Sequence, residues 1–133
     1  MEQTVIKLKW HEVKRIEGII KSKDTNLPLN GIYEDKDGTI RYFKNGKHHR
    51  EDGPAYISKD FKKVYFINGK CHKIDGPAVI SSDGEFNWYI NGYKINKVIM
   101  DNWLTENDIP LDWNIWSNED KMLFVLRWSD YQG

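Results

Sequence analysis

Eight side chains in the middle of the chain carry the chemistry worth weighing: Arg41, Tyr42, His48, His49, Arg50, Tyr65, His72 and Lys73. They combine phenol rings, imidazoles and fixed cations. Such groups stack on planar ligands and neutralise anions, and Tyr and Arg also dominate protein–protein hot spots. Catalysis is less well served. His48 and His49 are adjacent, so on a strand they point to opposite faces and cannot chelate one metal. His11 and Glu12 stand apart, and no metal site or cofactor is expected. Asp52 and Asp75 look like a carboxylate pair, but each belongs to Asp-Gly-Pro, where the Asp side chain is expected to close onto nearby backbone N–H groups. Ser58, Ser81 and Ser82 lack a nucleophile elbow, and no Gly-rich loop joins a strand to a helix. The residues predict a binding protein rather than an enzyme.

The elements that position these residues are written more than once. Asn45-Gly46-Lys47-His48-His49-Arg50-Glu51-Asp52-Gly53-Pro54-Ala55 returns 23 residues later as Asn68-Gly69-Lys70-Cys71-His72-Lys73-Ile74-Asp75-Gly76-Pro77-Ala78. A partial third copy, Asn91 to Asn96, keeps the offset. A period of this size predicts a stack of small units. Each unit opens with an aromatic strand (40–44, 63–67, 86–90) and then Asn-Gly, the pair preferred in type I′ hairpin turns. After Asp-Gly-Pro the proline interrupts the ladder, and short strands resume at 55–57 and 78–80. The fold class predicted is mainly β: an antiparallel meander with local contacts only.

Counting outward from the turns places Lys44 opposite Lys47, Phe43 opposite His48, Tyr42 opposite His49 and Arg41 opposite Arg50. One face then carries the column Tyr42/His49, Tyr65/His72, Trp88/Ile95. The other carries Phe43/His48, Phe66/Cys71, Tyr89/Lys94. Two uses of the first column stand side by side. Each imidazole packs on its Tyr and hydrogen-bonds to the neighbouring unit, or the rings form a platform for a planar anionic ligand. Arg41 opposite Arg50 is unfavourable, so Glu51, Asp52, the acidic tail or an external anion must compensate.

The flanks read differently. Residues 30–37 align with 53–60, residues 16–20 read as a worn first strand, and 21–29 as an enlarged turn. Residues 5–10 alternate as a strand does, while Ile6, Trp10, Val13 and Ile20 also fall near one face of a helix; strand is the reading preferred. At the other end, residues 97–107 pair apolar groups four apart as a helix, and Ser117 with Asp120 reads as a capping box. The following segment is apolar nearly all round, so it is expected to be buried, capping the stack. The division is thus 1–36, a degenerate first unit; 37–96, the repeats; and 97–133, a helical cap, all in a single domain.

The formal net charge is zero, which argues against general nucleic-acid binding. From Arg41 to Lys73, however, nine Lys/Arg face three acids, and from Asp101 onward seven acids face two bases. Either the acidic tail packs near the basic middle, or that middle meets an anionic ligand. Cys71 is the only cysteine, and no apolar run approaches membrane-spanning length, so a cytoplasmic protein without membrane partners is expected.

The repeated segment resembles the DGPA-type, MORN-like repeat of small bacteriophage and large-DNA-virus proteins, over about residues 30–96. The second copy departs at Lys73 and Ile74, and the third lacks Asp-Gly-Pro-Ala. The resemblance implies a viral accessory protein in the infected bacterial cytoplasm, without a catalytic motif. The expected function is binding and inhibition of a host protein, a defence component on this context. The alternative is a nucleotide-binding sponge, and a small hydrolase ranks third.

Overall fold

In the computed structural model, which describes residues 3–133, the Asn-Gly pair of each repeated unit sits at a hairpin tip. Both residues have positive φ: 51° and 75° at Asn45-Gly46, 50° and 80° at Asn68-Gly69, 49° and 86° at Asn91-Gly92. This is type I′ geometry, which matches the right-handed twist of the flanking strands. Glu17-Gly18 makes a further turn of this kind, at 52° and 80°. Residues 16–20 are therefore a hairpin bend rather than the strand expected there.

The protein is mainly β, with short strands in hairpins and two short helices near the C-terminus. The chain runs through β1 (Val5–Lys7), a 3-10 turn (Trp10–Glu12), β2 (Val13–Ile16), β3 (Ile19–Ser22), β4 (Gly31–Glu34), β5 (Ile40–Lys44) and β6 (Lys47–His48). It continues through β7 (Tyr56–Ile57), β8 (Lys63–Val64), β9 (Phe66–Ile67), β10 (Lys70–Cys71), β11 (Val79–Ile80), β12 (Phe86–Asn87), β13 (Tyr89–Ile90) and β14 (Tyr93–Lys94). Helices α1 (Lys97–Glu106) and α2 (Asn118–Trp128) follow, with a second 3-10 turn (Trp113–Ile115) between them.

The main sheet has the order β1-β4-β5-β7-β8-β11-β12, with β6 paired to β5. Three hairpin pairs stand off it: β2/β3, β9/β10 and β13/β14. The expectation of purely local, antiparallel pairing fails at one place. β1 pairs β4 in parallel, Val5 to Ile32 through Lys7 to Glu34, and the β2/β3 hairpin fills the crossover. The aromatic strands at 63–67 and 86–90 are each split, at Tyr65 and Trp88. Their first halves belong to the main sheet and their second halves to the hairpins. Pro54 and Pro77 each precede a fully buried alanine, Ala55 and Ala78, whose small side chains let the sheet bend closely there.

Apolar burial is concentrated at the two ends. Leu8, Leu29, Tyr33 and Phe43 form one cluster under the β2/β3 hairpin. The larger cluster joins Trp88, Ile90 and Ile95 to Met100, Leu104, Phe124 and Trp128 of the helices. Helix α1 begins where Asn96 takes the N–H groups of Val98 (2.9 Å) and Ile99 (3.3 Å), and Ser117 with Asp120 forms the capping box of α2. The second helix is less buried than its composition implied. Phe124 and Trp128 face inward, whereas Met122 and Leu126 are 64% and 74% exposed.

Two substitutions test these backbone constraints by chemical denaturation. Phe61 occupies a left-handed turn position (φ 69°) where Gly38 and Gly84, each 23 residues away, have φ 90°. Its ring is largely exposed. Phe61→Gly should raise stability by about 0.5–1 kcal/mol, the αL strain relieved less the unfolded-state entropy added. A Cβ on Gly46 would lie 2.6 Å from the Ile20 carbonyl oxygen and 2.5 Å from Ile19 Cγ2, whereas at Gly69 the nearest atom is 3.5 Å away. Gly46→Ala should therefore cost at least about 3 kcal/mol and Gly69→Ala only the roughly 1–2 kcal/mol of its backbone strain.

Candidate functional site

The eight predicted residues divide between two faces. Lys44 pairs Lys47 and Phe43 pairs His48 as counted from the turn. His49 follows, its N–H donating to the Tyr42 carbonyl at 3.0 Å. Beyond it the return strand leaves. The Arg50 N–H crosses to the Phe66 carbonyl (3.1 Å), so Arg50 does not oppose Arg41. Arg41 pairs instead with Tyr33 and Tyr56 in the sheet. The like-charge pair expected from the turn register is absent, and the two arginines line different clefts.

On the first face, each cation folds back onto its own unit. The Arg50 guanidinium lies 4.1 Å from the Tyr42 ring centroid, donates from Nε to Asp52 Oδ1 (2.8 Å) and from Nη1 to the Pro54 carbonyl (3.2 Å). A Cβ on Gly53 would come within 2.7 Å of that guanidinium, which explains the glycine. Lys73 repeats the arrangement more loosely, 4.0 Å over Tyr65 and 3.9 Å from Asp75. Asp52 thus serves the Arg50 side chain, where turn chemistry had predicted backbone N–H partners. The Arg50 hydrogen bond, and then its charge, hold the Asp52 carboxyl below its usual range.

The imidazoles of this face are structural acceptors. His49 Nδ1 takes the Asn68 N–H and His72 Nδ1 takes the Asn91 N–H, both at 3.0 Å. Each ring therefore carries its proton on Nε2 and links one hairpin to the tip of the next. Arg50, Tyr65, His72, Lys73 and Ile74 line a groove of about 670 Å³ together with the carboxylates of Glu51, Asp52 and Asp75. Charges of both signs are present in it.

The second cleft, about 550 Å³, lies between the β2/β3 hairpin and the first two Asn-Gly tips. Arg41 forms its floor. Its Nη1 donates to His48 Nε2 (3.1 Å), its Nε lies 3.8 Å from Asp35 Oδ2, and Trp10 and Tyr56 flank the guanidinium at 5.1 and 4.9 Å. His48 stacks between Phe43 and Phe66, at 4.7 and 5.1 Å. Burial, reinforced by the Arg41 and Arg15 charges, holds its pKa down to about 4. It is neutral at pH 7, with the proton on Nδ1. Asp35 is buried, and that burial together with the neighbouring Asp37 raises its pKa.

Residue counting found Arg41 and His48 but missed Trp10, Lys14, Arg15, Lys47, Lys70 and Asp35. A signal existed for one pair. Arg41 stands where the next copies have Val64 and Asn87, and Asp35 where they have Ser58 and Ser81. Two charged departures from the repeated pattern in one unit mark a local pairing. The predicted docking of the acidic tail on the basic middle does not occur: among the described residues, Arg50 and Lys73 pair with their own loop, and no ion pair reaches an acid beyond Asp101. Among the described residues, no three His, Cys, Asp or Glu side chains gather as a metal ion requires.

Both His48 and His72 are held below the ordinary imidazole pKa of 6.5 by burial. Their neutral forms stabilise the fold above pH 6.5, and this contribution is lost as pH falls towards about 4, because the unfolded chain binds those protons first. The depressed carboxylates Asp37, Asp52 and Asp60 act only below their unfolded value of 3.8, and Asp35 acts in the opposite sense. Thermal unfolding followed from pH 7.5 to 4 should show Tm declining below pH 6.5. The decline should be shallower in His48→Gln. No protein-family model, curated protein or solved structure matches the chain.

Proposed function

We propose that the chain is a MORN-like repeat protein of the DGPA type that acts by binding, without catalysis. Its partner is a host protein met in the infected bacterial cytoplasm, a defence component that the complex holds inactive. The supporting observation is the groove lined by Arg50, Tyr65, Lys73 and Ile74. Its cations are already stacked on Tyr42 and Tyr65, so little side-chain entropy remains to be lost on association. Glu51, Asp52 and Asp75 stand beside those cations, and Ile74 is exposed. Charges of both signs around an apolar anchor suit a protein loop, because the carboxylates would repel a polyphosphate. Among the described residues, no helix is long and apolar enough to cross a membrane.

The reading is tested on the groove itself. Tagged protein incubated with bacterial lysate should retain a partner through gel filtration. Ile74→Asp and Lys73→Glu should each weaken that complex by about tenfold or more, the scale of a hot-spot loss. Lys47→Ala, on the opposite cleft, should leave it intact. A complex indifferent to both groove substitutions, or no complex at all, overturns the proposal.

A further inference from the structure

The cleft floored by Arg41 has a different chemistry from the groove. Five cations line it, Lys14, Arg15, Arg41, Lys47 and Lys70, against one carboxylate, Glu17. Among the described residues, Lys14, Arg15, Lys47 and Lys70 have no carboxylate within ion-pair distance. They come from three elements, β2, β6 and β10, which the stacking of hairpin tips brings together. The Lys47 stem lies across the Gly69 turn, where a Cβ would meet it at 3.5 Å. Cations gathered into one concavity in such excess over carboxylates raise the local concentration of anions. The volume of about 550 Å³ is that of a small-molecule site.

The aromatic component is equally placed. Trp10 closes one side of the cleft, 47% exposed, with Arg41 against its ring. Exposed indole surface above fixed cations is the arrangement that stacks a planar base while neutralising the phosphates attached to it. His48 keeps Arg41 in position through the 3.1 Å contact and, being neutral, adds no repulsion to the floor. The zero net charge of the whole chain disfavours a long polyanion, so the charge is directed at a compact ligand.

We propose that this cleft binds a nucleoside polyphosphate, with Lys14, Arg15, Lys47 and Lys70 holding the phosphates and Trp10 stacking on the base. The site is independent of the protein-binding groove and lies on the other face. On this reading the cleft holds its ligand and releases it unchanged.

Isothermal titration calorimetry at 150 mM salt with ATP, inorganic triphosphate and adenosine tests the assignment. ATP should bind, triphosphate should bind about tenfold more weakly for want of the stacked base, and adenosine should give no heat. Lys47→Ala with Lys70→Ala, both exposed, should weaken ATP by about tenfold or more with Tm unchanged. Trp10→Ala should bring ATP down to the triphosphate value. ATP recovered after denaturation should be intact. Absence of ATP binding, equal affinity for triphosphate and ATP, or affinity unaltered by the double substitution overturns the proposal. The groove complex with a protein is untouched by these variants, so each of the two readings fails by itself.

Discussion

The two backbone N–H groups at the tip of a type I′ hairpin point away from their own strands and are free to find acceptors in water or elsewhere in the chain. Here they find them in the chain just before. Asn68 and Asn91 donate to the Nδ1 atoms of His49 and His72, and Gly69 and Gly92 donate to the carbonyls of His48 and Cys71 at 2.8 Å. The first tip uses substitutes, with Asn45 donating to Asn30 Oδ1 and Gly46 to the Leu29 carbonyl, both at 2.8 Å. Each such bond is worth about 0.5–1.5 kcal/mol net, and together they set the spacing and order of the hairpins. The last return strand is followed by Asn96, whose side chain opens α1 and ends the series.

Both clefts are by-products of this docking. The imidazole used as an acceptor pulls the following residue off the sheet, and Arg50 or Lys73 then folds back over a tyrosine. That produces a groove of paired charges. On the reverse side the lysines that follow the first two repeat turns, Lys47 and Lys70, are outside any ion pair among the described residues, and they converge with Lys14 and Arg15 of the added hairpin. One hydrogen-bonding constraint therefore gives the molecule a face of mixed charge and a cationic one.

Tight local rules were legible in the residues. Asn-Gly specified the hairpins, and the facing pairs were right out to His49 because register is set by the turn. The capping box and the bond from each imidazole to the next unit also followed from the pattern. Errors began where the chain leaves that register. Arg50 was placed by counting past the point at which its amide changes partner, and no local feature of Arg-Glu-Asp marks that change. Glu17-Gly18 was missed because glutamate is seldom found at positive φ. The burial of α2 was overestimated because its apolar residues outnumber the sites available, leaving Met122 and Leu126 outside. The basic cleft was only half visible, since Lys14, Arg15 and Trp10 belong to an element whose position depends on a long-range pairing.

That pairing has a consequence for biosynthesis. Val5–Lys7 has no strand to join until Gly31–Glu34 has been made, whereas each later hairpin needs only its immediate neighbour. As the chain emerges from the ribosome, Val5–Lys7 must wait with its valine and isoleucine exposed while the β2/β3 hairpin and the turn after it form. The closure of this loop, longer in sequence than that of any later strand pair, sets when Trp10 can be delivered to its arginine.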